Sequence, residues 1–189
     1  MPLILASSSK IRRQMLDSAG VAYQAAKPAV DEEELKAGLS DASGIARRLA
    51  EAKAASVLGD WVIGSDSVVS VDRRLFSKPR DRAEAAEHLR FFSGKAMQLT
   101  SAVALARGGA LDWSHVDTAT LRVRELSSAF IDSYLDAEWP EVGYCVGVFR
   151  LEGRGVQLFD SIHGSYFTIL GMPLIPLLGA LRERGLIPG

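Results

Sequence analysis

The stretch that most constrains the fold is Leu3-Ile-Leu-Ala-Ser7-Ser8-Ser9-Lys10-Ile11-Arg12-Arg13, which passes from apolar through small and hydroxylated to strongly basic. Leu3 to Ala6 is short and apolar enough for a buried strand, and Gln14-Met15-Leu16 up to Gly20 reads as a helix closed by a glycine cap. The basic turn therefore stands where strand becomes helix. There the unpaired N–H groups of a first helical turn and the serine hydroxyls can converge on one anion, and guanidinium forks add charge-assisted bonds. Two readings stay open on these residues alone. One is a cradle for a polyphosphate; the other is a plain serine cap followed by a solvated basic face.

The bulk of the chain adds limits rather than a partner. At 189 residues, 48% hydrophobic and 24% charged, it suits one large α/β domain or two small lobes. A net charge of −1 gives no general field for nucleic acid or anionic membrane, so phosphate affinity must come from local clusters such as the basic turn. With aromatic residues at 7% and no basic stripe interleaved with them, no nucleic-acid partner is expected. A single cysteine, Cys145, rules out an internal disulfide, fits a reducing compartment and reads as structural. Met1-Pro2 leads into the first strand without a signal-peptide pattern and no apolar run approaches a membrane span, so no membrane partner and a cytoplasmic location are expected. Only 3 histidines, none in paired spacing, speak against a zinc site.

Along the chain, Val21 to Ala26 predicts a short second strand leading to the acidic run Asp31-Glu32-Glu33-Glu34. Acids favour a first helical turn, so this run is either a solvated helix start or a source of one carboxylate for a divalent cation beside the phosphate turn. From Ser43, the residues Ile45, Leu49, Ala52, Ala55 and Val57 line one helix face, interrupted by Lys53, which alone reads as a solvent-facing charge. Trp61 to Val71 gives a strand signal on both sides of Gly64-Ser65-Asp66, and a carboxylate inside such an apolar run is costly unless paired, hydrogen-bonded or metal-bound. Asp66 is accordingly a functional candidate. Further on, the sequence predicts a helix from Asp81 to Phe92 and a strand from Gln98 to Ala106. Leu111–Trp113 and Leu121–Val123 read as a hairpin-like pair around a polar middle. A helix from Ser127 to Glu138 and a last one from Leu174 to Arg184 complete the pattern. Glycines in the final third, Gly164 and Gly171 among them, suggest tight turns and close backbone approach to a ligand.

Taken in order, these motifs resemble the Maf family of nucleotide pyrophosphatases, first named for an effect on septum formation, and the resemblance runs nearly end to end. Leu5-Ala-Ser-Ser-Ser-x-x-Arg12-Arg13 is similar to the family's opening phosphate loop, Val30-Asp31-Glu32 to its acidic motif and Glu51-Ala-Lys53-Ala to its lysine helix. Ile63-Gly-Ser-Asp66-Ser-Val-Val resembles its catalytic strand, and Lys78-Pro79 its second lysine. Ser93-Gly94-Lys95, Leu151-Glu152-Gly153 and Leu170-Gly-Met-Pro173-Leu complete the order.

The resemblance implies a single domain over residues 1–189 with a mixed α/β, inosine-triphosphatase-like fold: a central sheet, flanking helices, a cleft between two lobes, and usually a homodimer. It implies hydrolysis of a nucleoside triphosphate to the monophosphate and pyrophosphate with a divalent cation, Mg²⁺ or Mn²⁺, as a housecleaning reaction on the nucleotide pool. By the same resemblance, Ser7, Ser9, Arg12, Lys53 and Lys78 would hold the phosphates with Arg13 assisting. Asp66 would be general base or metal ligand, and Glu32 the second acidic partner of the cation. Three positions bear on specificity. Ile11 stands where pyrimidine-preferring members carry arginine and methyl-GTP members tryptophan, Ser67 where others have threonine or glutamine, and Glu152 where the first group has glutamine and the second glutamate. A carboxylate only accepts hydrogen bonds, which suits the two adjacent donors of guanine, and N7-methylation would add charge attraction. A 7-methyl-GTP-like substrate is therefore expected. The alternatives are a dTTP or UTP pyrophosphatase of the same family and, in another class, a nucleotide-binding regulator of septum formation without essential catalysis.

Overall fold

The computed structural model describes residues 3–189. β1 (Leu3–Ala6) leads into α1 (Lys10–Ser18) through the serine turn, and β2 (Gln24–Ala26) follows. The helix begins at Lys10 and not at Gln14, because Ser9 is extended and its Oγ accepts the Arg12 backbone N–H at 3.5 Å, an N-cap. The cations are thus inside the first helical turn. α2 (Glu32–Lys36) and α3 (Ala42–Ala55) are capped by Asp31 and Asp41, after which β3 (Trp61–Val71) runs unbroken through Gly64-Ser65-Asp66. β4 (Arg74–Phe76), α4 (Arg82–Phe92), β5 (Ala96–Arg107), β6 (Ala110–Val123) and α5 (Ser128–Glu138) follow. After two short 3₁₀ turns come β7 (Phe159–His163), α6 (Tyr166–Ile169) and α7 (Leu174–Glu183).

The strands form a seven-stranded mixed sheet in the order β2-β1-β3-β5-β6-β7, with β4 on β3. β1 is parallel to β2 and to β3, with Ala6 opposite Gly64, whereas β4 and β7 pair antiparallel. The expected hairpin between Leu111 and Val123 is wrong. Those residues belong to one strand, β6, and the reversal lies earlier at Gly108-Gly109, where φ values of +56° and +84° give the two left-handed residues of a tight two-residue turn. The polar middle of β6, Ser114 to Thr118, holds neither glycine nor proline, and Ser114, His115 and Asp117 are half-buried in a continuous strand.

The chain resolves into two compact units. The first holds the described residues up to Ser67 with Thr100–Asp117 and Ser165–Gly189; the second holds Val68–Leu99 and Thr118–Gly164. In the first unit the strand period of two decides which residues meet. Leu3, Leu5, Trp61, Ile63, Val103 and Leu105 pack with Met15 and Leu16 of α1 and Leu174, Leu177 and Leu181 of α7. On the other face α3 comes so close at Gly64 that an added Cβ would stand 2.1 Å from the Ala50 carbonyl oxygen. In the second unit, Phe76 and Phe92 meet edge to face at 4.7 Å, and α4 packs on α5. The Tyr134 hydroxyl there donates to the Val148 carbonyl at 3.0 Å.

Candidate active site

β1 ends at Ala6, and the parallel β3 continues past it through Ser65, Asp66 and Ser67. Beyond the carboxyl ends of such strands an α/β sheet offers ligands exposed backbone and helix N-termini. Here α1 presents its N-terminus with Lys10, Arg12 and Arg13 in the first turn and no acid among them. Cations at the positive end of a helix are unfavourable, each by about 0.3–1 kcal/mol, unless an anion is present. An anion bound at the turn would offset that cost.

Each face of β3 supplies a different part of the site. Gly64 and Asp66 share the face covered by α3, and the glycine contact lets the helix lie close enough for Lys53 to reach Asp66. Lys53 Nζ is 2.6 Å from Asp66 Oδ1 and 2.8 Å from Glu32 Oε1. The lysine side chain is 9% exposed, that of Asp66 14% and that of Glu32 45%. Lys53 is thus a buried ammonium between two carboxylates, not a surface charge. The acidic run divides its work: Asp31 caps α2 through the N–H groups of Glu33 and Glu34, Glu33 pairs with Lys36, and Glu32 turns to Lys53.

Ser65 and Ser67 point to the opposite face, toward Gly171. Arg12 Nε donates to the Gly171 carbonyl at 2.9 Å, Nη2 to Ser67 Oγ at 3.2 Å and Nη1 to Ser7 Oγ at 3.4 Å. Burial lowers the Arg12 pKa from its usual value, and the charges of Asp66 and Glu32 act against that shift. The same field joins Arg12, Asp66 and Glu32 in one electrostatic cluster. Ser7 Oγ also accepts the Ser9 N–H at 3.2 Å, so Ser7 and Ser9 both shape the turn.

Within this unit the structure brings together Ser7, Ser9, Arg12, Glu32, Lys53, Asp66 and Ser67. Arg13 stands apart from that network, with its guanidinium on the Ser8 carbonyl at 3.4 Å, and Ile11 is half-buried on α1. Lys78 and Glu152 belong to the second unit and are exposed. There both act on Cys145, whose thiol is pushed up to about 11, chiefly by burial, with Glu152 raising it and Arg150 and Lys78 opposing. Such a thiol is protonated and inert at neutral pH, as a structural cysteine should be. Sequence reasoning missed Ser65, Ser101 and Thr168, which adjoin the Arg12 network. The glycine at 171 was legible as a close-approach position. What approaches it is the chain's own Ser67 and Arg12, at 3.2 and 3.6 Å from an added Cβ, with φ at +106°.

No group of three or more His, Cys, Asp or Glu side chains suited to a metal occurs among the described residues. Two carboxylates that converge on one ammonium nevertheless supply the hard oxygen donors of a Mg²⁺-type site, which commonly takes one or two carboxylates and completes itself with substrate phosphates. Glu32 and Asp66 fit that description.

The sequence matches the family model described as Maf-like protein over residues 2–184. It is 48% identical to a 7-methyl-GTP pyrophosphatase of Rhizobium meliloti (strain 1021), covering 98% of this chain and 97% of the relative. It is 44% identical to a nucleoside triphosphate pyrophosphatase of Nitrobacter hamburgensis (strain DSM 10229 / NCIMB 13809 / X14), over 98% and 95%. Among solved structures, a nucleoside-triphosphatase / dITP/XTP pyrophosphatase from Mycobacterium abscessus overlaps 65% of this chain and 73% of its own, at 17% identity and a TM-score of 0.41.

Proposed function

This chain belongs to the family of Maf-like proteins, and from that premise we propose that it is a nucleoside triphosphate pyrophosphatase acting on a 7-methyl-GTP-like nucleotide. The observation that carries the reading is the meeting of Arg12, Lys53, Asp66 and Glu32 beyond the end of β1. Two cations suit a polyphosphate. A carboxylate facing one costs affinity unless a cation or the chemistry repays it, so a mere nucleotide sensor has no use for Asp66.

In the reaction, a water oxygen bonds to the α-phosphorus as the bridging oxygen to the β-phosphorus departs, releasing the nucleoside monophosphate and pyrophosphate. Lys53 engages Oδ1 of Asp66, and the second carboxylate oxygen takes the proton from the attacking water. Arg12, Lys53, Lys78 and the hydroxyls of Ser7 and Ser9 hold the phosphates, with Arg13 assisting, and fixed donors there offset charge that develops on the leaving oxygens. Glu32 and Asp66 would hold a divalent cation, Mg²⁺ or Mn²⁺, which when bound supplies further neutralisation of that charge. Glu152 accepts hydrogen bonds from the guanine edge, and Ile11 and Ser67 shape selectivity. We read the protein as a cytoplasmic homodimer with no nucleic-acid partner; no helix among the described residues is long and apolar enough to cross a membrane.

The test is pyrophosphate release from canonical and modified nucleoside triphosphates with Mg²⁺, with Mn²⁺ and with chelator. The reading expects preference for 7-methyl-GTP, loss of turnover in chelator, and a shift toward dTTP and UTP in Glu152→Gln. A wild-type preference for dTTP or UTP would overturn the guanine assignment and keep the enzyme.

A further inference from the structure

Two of the groups that hold Arg12, the Gly171 carbonyl and Ser67 Oγ, converge on a residue of β5. Ser101 is fully buried, and its Oγ donates to the Thr168 carbonyl at 2.8 Å. Its only proton is then committed, so in the 2.8 Å contact between Ser67 Oγ and Ser101 Oγ it is Ser67 that donates. That in turn leaves the Ser67 oxygen to accept from Arg12 Nη2. The result is a directed chain from Arg12 through Ser67 and Ser101 to the Thr168 carbonyl, in which each donor fixes the next.

A second route joins the same two residues. The Thr168 carbonyl also accepts the Gly171 N–H at 3.0 Å, closing the turn whose Gly171 carbonyl takes Arg12 Nε. Ser101 thus pins the turn from below while directing the Ser67 hydroxyl from the side. Ser65, also fully buried, lies 3.0 Å from the same Gly171 carbonyl and 2.7 Å from that of Ala102, tying the turn to β5 again. A side chain at 171 would meet Ser67 Oγ at 3.2 Å, so the space beneath the arginine is filled.

We propose that Ser101 is a positioning residue for Arg12, acting through Ser67 and the Thr168–Gly171 turn to preset the guanidinium for a phosphate. It touches no substrate. The inference rests on the reading of Arg12 as a phosphate ligand. Without Ser101, the Ser67 proton turns to the Gly171 carbonyl, 3.2 Å away, where it competes with Arg12 Nε. The Thr168 carbonyl keeps the Gly171 N–H, so loss of the hydroxyl leaves no buried carbonyl without a donor.

The experiment compares wild type, Ser101→Ala, Ser67→Ala and the double variant in Mg²⁺ buffer by two readouts. One is ¹⁵N NMR of the Arg12 Nε–H, assigned with Arg12→Lys, for its exchange with water. The other is calorimetric affinity for inorganic pyrophosphate. The expected result is a slowly exchanging Nε–H in wild type, faster exchange in each single variant, and about tenfold weaker pyrophosphate binding. The double variant should lose less than the product of the two single losses, because the two substitutions share the Ser67 link and differ only in the Thr168–Gly171 turn. Ser101→Cys, which keeps a weak donor and acceptor in place, should recover part of the loss. Unchanged exchange or affinity in Ser101→Ala, or losses that multiply in the double variant, would overturn the proposal. Neither readout needs turnover, so failure of the pyrophosphatase reading shows separately, as absent nucleotide hydrolysis by wild type.

Discussion

The Lys53 ammonium lies 2.6 Å from one carboxylate and 2.8 Å from another, so one positive charge stands between two negative ones. That arrangement makes the lysine structural, and in the proposed reaction it also holds phosphate. In Lys53→Met, Asp66 and Glu32 face each other without the ammonium between them, and the methionine fills a similar volume without charge. The expected cost is about 1–3 kcal/mol of unfolding free energy, less than for a dry pair because Glu32 is 45% exposed. Pyrophosphate affinity should fall at least tenfold, and added Mg²⁺ should restore part of the stability but not the affinity for phosphate. Denaturant melts with and without Mg²⁺, beside calorimetric titration, check both. Residue by residue, the chemistry was only half visible beforehand. Lys53 on an alanine-rich helix looks like any solvated lysine, although its four-residue spacing from Leu49 and Ile45 puts it on the face that is buried with Ala50 and Ala54.

At the scale of elements, the site depends on how closely α3 lies on β3. Gly64 permits that approach, since a Cβ would stand 2.1 Å from the Ala50 carbonyl oxygen and 2.4 Å from the Ala54 nitrogen. Backbone cannot yield there as a flexible side chain could. Gly64→Ala should therefore push α3 outward, lowering stability by roughly 1–3 kcal/mol, and separate Lys53 from Asp66. Phosphate affinity should fall with stability, as thermal melts and titration on one preparation would show; a stable variant with normal affinity would contradict the packing account. Most elements were legible because their ends carry local signals. Asp31, Asp41, Asp81 and Ser127 each cap a helix through a side-chain oxygen. The miss at β6 came from weighing polarity above turn chemistry. Gly108-Gly109 between two long runs was the hairpin signal, while the stretch from Ser114 to Thr118 holds neither glycine nor proline.

For the molecule as a whole, the chain order of the motifs carried information that no single motif held. Ser7, Arg12, Glu32, Lys53 and Asp66 are spread along the chain from residue 7 to residue 66, and the fold gathers them within one unit. The supporting shell of Ser65, Ser101 and Thr168 stayed hidden because serine and threonine in a strand or short helix carry no spacing signal; their meaning comes from long-range partners. In the proposed reaction this gathered site directs water to the α-phosphorus with Asp66 as the base. That step is tested most directly by hydrolysis of 7-methyl-GTP in H₂¹⁸O, read by ³¹P NMR, for wild type and Asp66→Asn. The account predicts ¹⁸O in the nucleoside monophosphate, none in the pyrophosphate, and turnover lowered in the variant by about 10²–10⁴-fold. Label in pyrophosphate or in orthophosphate, or an Asp66→Asn variant as fast as wild type, would contradict it.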